Sequence, residues 1–546
     1  MYDIQGVTMQ HRVHRITNIT TLFGFALACV LMAVFVEMAP KQASAQPDQP
    51  DLTATPPAPT ATPDPHIVFE TTAVPGLPLT TTINLPVVLL SEFKEITTTE
   101  QLTETGTLTD TDELSDTSDY TPSVLQPEGA TAFGIEPNIP FANLDKVGTA
   151  GASYIRVNAL DWALVEPTPG ERRWEATSIE AALKQASEMG LKVVLIIRGT
   201  PAWAQKTPGS VCGPVKADQL QAYAKFVHDA VARYSAPPYN VKFWEVGNEP
   251  DAPVNTVHVV WGCWGDSKDY YYGAAYYTNA LKLVYPQIKA ADPQAQVLLG
   301  GLLANCDPVR PPSGQNCSSS RFFEGVLKNS GANFFDGVSF HTYEYYYKVL
   351  GKWGNTNWNS AYNTTGPVVI AKARFFKKLL STYKVTGKFL MDTEIGLLCS
   401  GCTPNNQHNL AKVWYVPEAY AAAMSEGLQA AMWYSLEGWL GTELIDGNRN
   451  PLPAHDAFRI ARAKLGAATY VGRITSRDVG GVYGITGYKF KQGNRVVWLV
   501  RSADSLKRTL KLTTLPTTIT DSLGNAIPPS KTPSMSLQPV YIEWMT

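Results

Sequence analysis

Two glutamates in this 546-residue chain follow apolar segments in the same way. Their carboxyl groups suit acid–base or nucleophilic chemistry. Glu249 ends the stretch Phe-Trp-Glu-Val-Gly-Asn-Glu before Pro250, with Asn248 beside it. Glu394 lies in Phe-Leu-Met-Asp-Thr-Glu-Ile-Gly, at the equivalent height of a second apolar segment. Where two such carboxyl groups face each other, one can protonate a leaving oxygen while the other attacks or activates water, as glycoside hydrolysis requires.

The elements that must position these glutamates alternate between apolar runs and amphipathic helical segments. The predicted strands are Ala132–Glu136, Tyr154–Val157, Val193–Ile197, Val241–Val246, Val297–Gly300, Gly337–Phe340, Lys388–Met391 and Ala430–Tyr434. Predicted helices include Ser178–Met189, Ala217–Tyr234, Tyr271–Ala290, Arg321–Asn329 and Ala371–Tyr383. Buried strands that alternate with helices pair in parallel, so the pattern predicts an α/β fold, a (β/α)8 TIM barrel over residues 131–465.

In that fold chemistry takes place at the carboxyl ends of the strands, and the fourth and seventh strands lie across the barrel mouth. Glu249 and Glu394 are therefore expected to face each other. The residue before a proline disfavours helical backbone, so Pro250 is expected to give Glu249 an extended or turn geometry.

Three neighbouring acidic residues are expected to play structural roles. Strand alternation turns Glu245 toward the barrel wall or interior. Asp392 shares the parity of Glu394 and is predicted to be a structural hydrogen-bond acceptor. Asp251 follows Pro250 and is predicted to cap a loop.

The pattern changes after about Leu465 to short strands separated by turns. The predicted strands there are Gly481–Ile485, Arg495–Val500, Thr509–Leu512 and Val540–Trp544. This spacing predicts a small antiparallel β-sandwich over residues 466–546, packed on the barrel.

With these elements in place, the motifs resemble glycoside hydrolase clan A, the retaining barrel enzymes. They are Asn-Glu-Pro after strand four, Thr-Glu-Ile-Gly after strand seven, Tyr-Ile-Arg-Val with Arg156, Val165–Gly170 followed by Trp174, Thr-Pro-Ala-Trp ending at Trp203, and His341-Thr-Tyr343. The resemblance covers about residues 131–465 and is closest to family 39, then to family 5. Family 5 has a histidine soon after strand three, where this chain has Arg198-Gly-Thr-Pro, so a cellulase assignment is weakened.

The resemblance implies a role for each matching residue. Glu249 matches the acid/base and Glu394 the nucleophile, while Asn248 matches the residue that binds the sugar 2-hydroxyl. Tyr343 and Arg156 are implied to keep the nucleophile ionised, although Arg156 could instead anchor a buried ion pair. His341 is implied to touch either the substrate or Tyr343.

Aromatic residues are dense in the segments after the strands, where sugar rings could stack on them. They are Trp203, Trp261, Trp264, Tyr343, Tyr345, Tyr346, Trp353, Trp358 and Trp439. Either Trp433 or Tyr434 on strand eight is expected to form the floor of the −1 sugar site. Trp433 is preferred because an indole is the usual platform in the clan.

The first 130 residues differ in composition from the rest. Arg12 and Arg15 precede an apolar run from Leu22 to Val36, and Ala43-Ser-Ala45 follows, so residues 1–45 are predicted to be a signal peptide, with an uncleaved signal anchor as the alternative. Residues 46–130 hold 19 Thr, 12 Pro and 14 acidic residues against one basic residue, which predicts a disordered, acidic linker.

The seven cysteines fit an exported chain. One, Cys29, lies in the predicted signal, and the other six allow many connectivities. Sequence neighbours favour the pairs 306/317 and 399/402, with 212/263 left over. The C-x-x-C at 399–402 could instead be a redox motif or half a zinc site, but no second C-x-x-C or histidine cluster accompanies it.

These observations lead to the hypothesis of a secreted or cell-surface retaining β-glycosidase with a carbohydrate substrate and without a metal or organic cofactor. The net charge of −3 argues against a nucleic-acid partner. Membrane association is expected only if the N-terminal segment stays uncleaved, and the sequence does not fix the oligomeric state. The alternatives are a surface-displayed glycan-binding protein on a barrel with a weakened site, and transglycosylation by the same residues.

Overall fold

The computed structural model describes residue 121 and residues 131–138, 144–256, 262–358, 366–401 and 405–545. The predicted signal segment, nearly all of the predicted linker, and Trp261 and Cys402 lie outside the described residues. Among the helices described, none combines the length and apolarity needed to cross a bilayer.

Eight parallel strands close into a barrel, which confirms the predicted (β/α)8 barrel. They are β1 (Ala132–Glu136), β2 (Tyr154–Asp161), β3 (Lys192–Arg198), β4 (Phe243–Asn248), β5 (Gln296–Leu302), β6 (Gly337–Tyr346), β8 (Phe389–Leu398) and β9 (Ala430–Tyr434). The short strand β7 (Trp353–Gly354) lies between β6 and β8 in the sequence. Each strand pairs in parallel with its neighbours, and pairings of β1 with β9 and of β5 with β6 close the ring.

Helices surround this ring. They are α1 (Leu144–Ala150), α2 (Trp162–Val165), α3 (Glu180–Glu188), α4 (Leu220–Tyr234), α5 (Ala274–Ala291), α6 (Phe322–Lys328), α7 (Val368–Thr382), α8 (Asn406–Ser425) and α9 (Pro453–Leu465). Short 3-10 turns lie at Trp174–Thr177, Ala202–Ala204, Ala217–Gln219, Ser318–Arg321, Gly331–Phe334, Thr356–Trp358 and Arg477–Val479. The main apolar core fills the space between the outer face of the strands and the inner faces of these helices.

A second, smaller cluster of apolar side chains fills the lower part of the barrel interior. Its buried members come from strands all around the ring: Tyr154, Val194, Phe243, Leu298, Phe389, Met391, Ala430 and Met432. Bulky side chains pointing inward make this part of the barrel a packed core and not a pore. We call this cluster the barrel floor.

Two barrel strands run further than predicted toward the mouth. β6 continues through His341 and Tyr343 to Tyr346, and β8 continues through Glu394 to Leu398, so these site residues lie within strands and not after them. The extension of β6 is possible because it gains new partners: it pairs with β8 up to the level of Tyr345, and β7 adds an antiparallel partner to its end.

The C-terminal segment forms an antiparallel sheet, as predicted, but the predicted sandwich is not confirmed. Six strands pair in the order β10 (Thr469–Arg473), β11 (Ile485–Gln492), β12 (Arg495–Ser502), β17 (Val540–Met545), β14 (Thr518–Asp521) and β15 (Ala526–Ile527). A separate two-stranded ribbon joins β13 (Arg508–Thr509) and β16 (Ser534–Met535).

Alternation along these strands gives the sheet two apolar faces. Tyr488, Phe490 and Leu499 on one face belong to the same core as the barrel helices. Val500, Ile519 and Ile542 belong to a separate small core on the other face. The barrel and this sheet therefore share buried surface, and Arg501 of β12 also forms an ion pair with Glu418 of α8.

The structure contains two of the expected disulfides, Cys212–Cys263 and Cys306–Cys317. Cys399 is also disulfide-bonded, and its expected partner Cys402 lies outside the described residues. These bonds fit an oxidising, extracytoplasmic environment.

Candidate active site

Arg156 of β2 is the centre of a charged layer directly above the barrel floor. Its side chain is fully buried, and its guanidinium contacts the carboxyl groups of Glu136 at 2.8 Å, Glu245 at 2.7 Å and Glu394 at 2.5 Å. Its Nη2 also donates to Asn248 Oδ1 at 2.6 Å. The planar fork of an arginine holds several acceptors in fixed directions. Arg156 therefore connects the ends of four barrel strands, which goes beyond the single ion pair that was the structural alternative.

Glu394 reaches the mouth because β8 contains a β-bulge. Phe340 is opposite Asp392 and His341 is opposite Glu394, so Thr393 is an extra residue in the β6–β8 ladder. Thr393 and Glu394 both point inward: Thr393 Oγ1 donates to Glu245 at 3.2 Å and Tyr343 donates its hydroxyl hydrogen to Glu394. A bulge shifts the facing of the residues that follow it.

The bulge makes the predicted shared parity of Asp392 and Glu394 wrong. Asp392 is fully buried, accepts the hydroxyl hydrogen of Thr342, and interacts electrostatically with Lys372 on helix α7. Asp392 is thus a structural acceptor, as expected, but it faces the helices and not the mouth. Glu245 does lie in the barrel interior as predicted, where Arg156 and Ser339 donate to it.

Glu249 is held by an irregular turn that follows β4. Gly247 has φ of +84° and Glu249 itself has φ of +50°, a left-handed conformation that is strained for a residue with a side chain. Of the two geometries expected before Pro250, extended or turn, the structure therefore has the turn. The turn is fixed by its backbone: Glu249 N donates to Gly301 O at 2.9 Å, and Trp264 N donates to Pro250 O at 3.1 Å.

A disulfide stabilises the loop that covers this turn. Cys263 is bonded to Cys212, and its backbone nitrogen donates to Cys212 O at 3.0 Å, which joins the segments after β3 and β4. Next to it, Gly262 N donates to the carbonyl of Asn248. Asp251 accepts from the backbone nitrogens of Leu303 and Ala304 at 3.0 and 2.8 Å, so it caps the neighbouring loop.

His341 lies between the two glutamates. Its Nδ1 is 2.9 Å from Glu249 Oε1 and 3.3 Å from Glu394 Oε2, whereas its Nε2 is 3.4 Å from Arg156 Nη2. Since Arg156 can only donate, Nε2 accepts and Nδ1 carries the proton that points to the glutamates. His341 therefore contacts both carboxylates, and no contact joins it to Tyr343, one of its two expected neighbours.

Close packing from behind fixes the position of His341. A Cβ on Gly301 would lie 2.1 Å from His341 Nε2, so only glycine allows the ring at this place. Lys372 of α7 is buried and donates to the carbonyls of His341 and Leu303 at 2.6 and 2.7 Å. The ring thus packs against β5, and a buried lysine holds the backbone of the same residue.

The two glutamates have different electrostatic surroundings. Burial, and then the charges of Glu394 and Asp251, raise the pKa of Glu249 well above its usual range. Burial also raises the pKa of Glu394, but Arg156 and the Tyr343 hydroxyl act in the opposite direction. Burial and the nearby Arg156 lower the pKa of His341 well below its usual range, so the ring is neutral. The site thus separates a protonated Glu249 from a more readily ionised Glu394.

Glu249, His341 and Glu394 each contribute one atom to a group whose atoms lie within 4.8 Å of one another, which is the one group of possible metal ligands found in the described part of the chain. A metal would need the lone pair of His341 Nδ1. Because Nε2 accepts from Arg156, Nδ1 carries the proton and has no lone pair to offer. The donor set therefore suits proton transfer better than metal binding.

Three aromatic rings surround the mouth above Glu394. Tyr343, Tyr434 and Trp439 meet edge to face, with ring centroids 5.8 to 6.1 Å apart. All three are partly exposed. Trp439 was one of several loop aromatics in the sequence, and its contacts with Tyr343 and Tyr434 distinguish it from the others.

The preferred aromatic residue of strand eight is not in this group. Trp433 is fully buried, donates from Nε1 to Thr442 O at 2.8 Å, and packs against Tyr415 of α8. Alternation on β9 turns Trp433 to the helices and Tyr434 to the mouth, so the preference for the indole is wrong. Trp203 packs edge to face on Trp162 and donates to Glu166 O at 3.0 Å, and no contact joins it to the glutamates.

One acidic residue of the site was missed by the sequence reasoning. Glu136 ends β1, is paired in register with Tyr434 and contacts Arg156. Its position at the end of a barrel strand was the available signal, because every strand end in this fold faces the mouth.

The fold is similar to solved structures of glycoside hydrolases. A family 39 glycoside hydrolase from the gut symbiont Bacteroides cellulosilyticus WH2 has a TM-score of 0.58 and 18% identity, over 78% of this chain and 83% of that one. A GH30 endoxylanase from Clostridium papyrosolvens C71 has a TM-score of 0.50 and 12% identity, over 76% and 97%. The family 30 subfamily 8 xylanase Xyn30A from Clostridium acetobutylicum has a TM-score of 0.50 and 13% identity, over 76% and 96%. No protein-family model and no curated protein matches the chain.

These likenesses establish the fold. The protein has the closed parallel barrel of the clan A glycoside hydrolases, and the resemblance seen in its motifs is confirmed at that level. Family 39, the resemblance favoured by the sequence, is represented among the matching structures.

Proposed function

We propose that this protein is an exported retaining β-glycosidase that hydrolyses O-glycosidic bonds of a poly- or oligosaccharide. One observation carries the proposal: Glu249 and Glu394 lie across one barrel mouth, with one oxygen of each within 4.8 Å of the other, in surroundings that make Glu394 the more readily ionised of the two. Retaining enzymes have carboxyl groups about 5 Å apart, whereas inverting enzymes need roughly 6.5 to 9.5 Å to hold a water.

The first step of the reaction forms a glycosyl–enzyme ester. Glu394 attacks the anomeric carbon while Glu249 transfers its proton to the leaving oxygen as the glycosidic bond breaks. Both oxygens of Glu394 are oriented before attack, Oε1 by Arg156 and Oε2 by Tyr343. Asn248 Oδ1 is held by Arg156, so its Nδ2 group is left to donate to a sugar hydroxyl.

The second step returns the enzyme to its starting state. Glu249, now a carboxylate, accepts a proton from water as the water oxygen attacks the anomeric carbon and Glu394 leaves. His341 donates from Nδ1 to Glu249 and is neutral, so it orients the carboxyl without contributing a second titrating group. Tyr343, Tyr434 and Trp439 offer aromatic faces for the apolar side of a sugar.

The disulfides support the proposal that the protein acts outside the cytoplasm. A carbohydrate substrate follows from the same proposal, and it needs neither a metal nor an organic cofactor. The alternative function is glycan binding without turnover. A binding site has no use for a proton donor with a raised pKa beside an oriented carboxylate, so the geometry favours the enzyme.

Aryl β-glycosides with an activated leaving group test both the activity and the two roles. With such a leaving group little acid assistance is needed, so Glu249→Ala is expected to form the glycosyl–enzyme and to be accelerated by azide, giving a β-glycosyl azide. Glu394→Ala lacks the nucleophile, so it should be inactive and give no azide product of retained configuration.

Glu344→Gln is the matched control. Glu344 is a buried carboxyl on β6 with its pKa raised by burial to about 8, but it faces α7, where it accepts from Val368 N at 3.1 Å. Its substitution should leave turnover near that of the wild type. Absence of hydrolysis by the wild type on all aryl β-glycosides, combined with saturable glycan binding, would instead identify a binding protein.

A further inference from the structure

Glu136 is a carboxyl of the barrel mouth to which the reaction above gives no role. Glu136 is 6% exposed, and its Oε2 accepts a hydrogen bond from Arg156 Nη1 at 2.8 Å. Within the described part of the chain no group donates a hydrogen bond to its Oε1. This oxygen is not one of the fully buried, unpartnered atoms of the described residues, so it is accessible from the mouth. The free oxygen therefore marks a place where a ligand could bind.

Charge balance does not explain this residue. Arg156 already has the carboxylates of Glu245 and Glu394 as partners, at 2.7 and 2.5 Å. Burial, and then the nearby Glu394 and Glu245, raise the pKa of Glu136 to about 8 in spite of Arg156. The third carboxyl is therefore mostly protonated at neutral pH and adds little negative charge.

The contacts of Glu136 also decide which oxygen carries the proton. Arg156 can only donate, so Oε2 must accept, and the proton of a neutral Glu136 lies on Oε1. The groups that face Glu136 are Arg156 of β2, Glu245 of β4, Glu394 of β8 and Tyr434 of β9. Because Arg156 Nη1 donates to both Glu136 and Glu394, the free oxygen lies beside the proposed nucleophile.

We propose that Glu136 is a specificity-determining residue that donates a hydrogen bond from Oε1 to a hydroxyl oxygen of an uncharged sugar bound at Glu394. The inference rests on the proposed function and names the substrate class of that same site. A sugar that carries a carboxylate or sulfate next to Glu136 would meet Glu394 and Glu245 with only Arg156 to offset them, so acidic sugars bind poorly there.

The test uses the full chain, the 2,4-dinitrophenyl β-glycoside that it hydrolyses fastest, and the monodeoxy derivatives of that glycoside. Glu136→Ala should lower kcat/KM for the parent compound about 10- to 100-fold, as expected for a lost hydrogen bond. For the one derivative that lacks the partner hydroxyl, wild type and Glu136→Ala should differ by less than about threefold, because the same interaction is already absent. Glu136→Gln should restore most of the loss, since an amide N–H replaces the acid O–H.

A second readout does not depend on activity. A carboxyl whose pKa is higher in the folded than in the unfolded protein reduces stability as pH rises from about 4.5 to about 8. The melting temperature of the wild type should therefore fall more over this range than that of Glu136→Gln. Equal slopes for the two proteins would mean that Glu136 is ionised, and the proposed donor would be excluded.

Two controls separate the possible failures. Glu344→Gln, which removes another buried carboxyl outside the mouth, should show the wild-type pattern on all deoxy compounds. If Glu136→Ala loses the same factor on every deoxy compound and Glu136→Gln restores nothing, Glu136 acts only through Arg156 and the inference is wrong. If Glu394→Gln, which lacks the nucleophile, is also fully active on the parent glycoside, the proposed function itself fails.

Discussion

The two ends of the barrel interior are built on opposite principles. The barrel floor consists of apolar side chains such as Val194, Leu298 and Phe389, in strands that alternate regularly. The mouth, one layer above, buries Arg156 and several carboxyls. Charged groups are expensive to bury, and nothing about folding requires them here. The difference indicates that the floor serves stability and that the mouth serves chemistry.

The backbone shows the same contrast. The floor has ordinary strand geometry, whereas the mouth contains the bulge at Thr393 and the left-handed Glu249. Strained backbone concentrates where a side chain must be directed to a particular place. Strand β8 passes from the barrel floor to the mouth within six residues, with Phe389 in the floor and Glu394 in the mouth.

The largest expected effect is a loss of turnover without a loss of stability. Glu394→Gln should reduce kcat on an aryl β-glycoside by at least about 10³-fold, because the nucleophile is removed while the side-chain volume is kept. Arg156 keeps Glu136 and Glu245 as partners, so the free energy of unfolding should change by less than about 1 kcal/mol. Steady-state kinetics and urea unfolding measure the two quantities, and a large loss of stability would break the contrast.

The reverse result is expected five residues earlier. Phe389→Ala should cost about 3–5 kcal/mol of unfolding free energy, because a ring that is 1% exposed and packs against Phe243 leaves a cavity. Well below the melting temperature, kcat per folded molecule should stay within about threefold of the wild type. An intact stability with a collapsed kcat would show that the floor takes part in the chemistry.

The sequence predicted the floor better than the mouth. Apolar runs separated by helices depend on local periodicity, so all eight barrel strands could be found from their residues. Glu249 and Glu394 were singled out because a motif and a strand end coincide. The prediction that Asp392 and Glu394 face the same way was wrong, because a one-residue bulge cannot be recognised from composition. The facing of Trp433 was misjudged because a general preference for indole was placed above strand alternation.

Other features of the mouth depend on contacts between distant segments. Glu136 and Glu394 are 258 positions apart and meet only through Arg156. The left-handed turn at Glu249 depends on Gly301, and the seat of His341 depends on Lys372. Local patterns carry no information on such pairs, so the structure is needed to find them.

A smaller effect should sharpen the electrostatic side of the comparison. Glu249 must be protonated to act as an acid, so activity is lost as pH rises through its pKa, and the charge of Asp251 is one cause of the raised value. Asp251→Asn removes that charge and should lower the pKa of Glu249. The alkaline limb of kcat/KM should move to lower pH by less than about one unit, while the acid limb stays in place. A shift in the other direction would contradict the assignment of that limb to Glu249.

The smallest effect is expected outside the barrel. Residues 46–130 have 14 acidic residues and few large apolar ones, so they offer little surface to bury. A chain that starts at Gly129 should keep the kcat and the melting temperature of the longer chain. A lower melting temperature would show that the N-terminal segment stabilises the barrel.

The stereochemistry of the first product tests the central claim, that Glu394 attacks the sugar directly with Glu249 as the acid. Proton NMR during hydrolysis of an aryl β-glycoside follows the anomeric signals before mutarotation mixes them. Direct attack and a second displacement by water predict the β-anomer as the first-formed sugar. An α-anomer appearing first would mean that a water attacks in one step, and the nucleophile role proposed for Glu394 would be wrong.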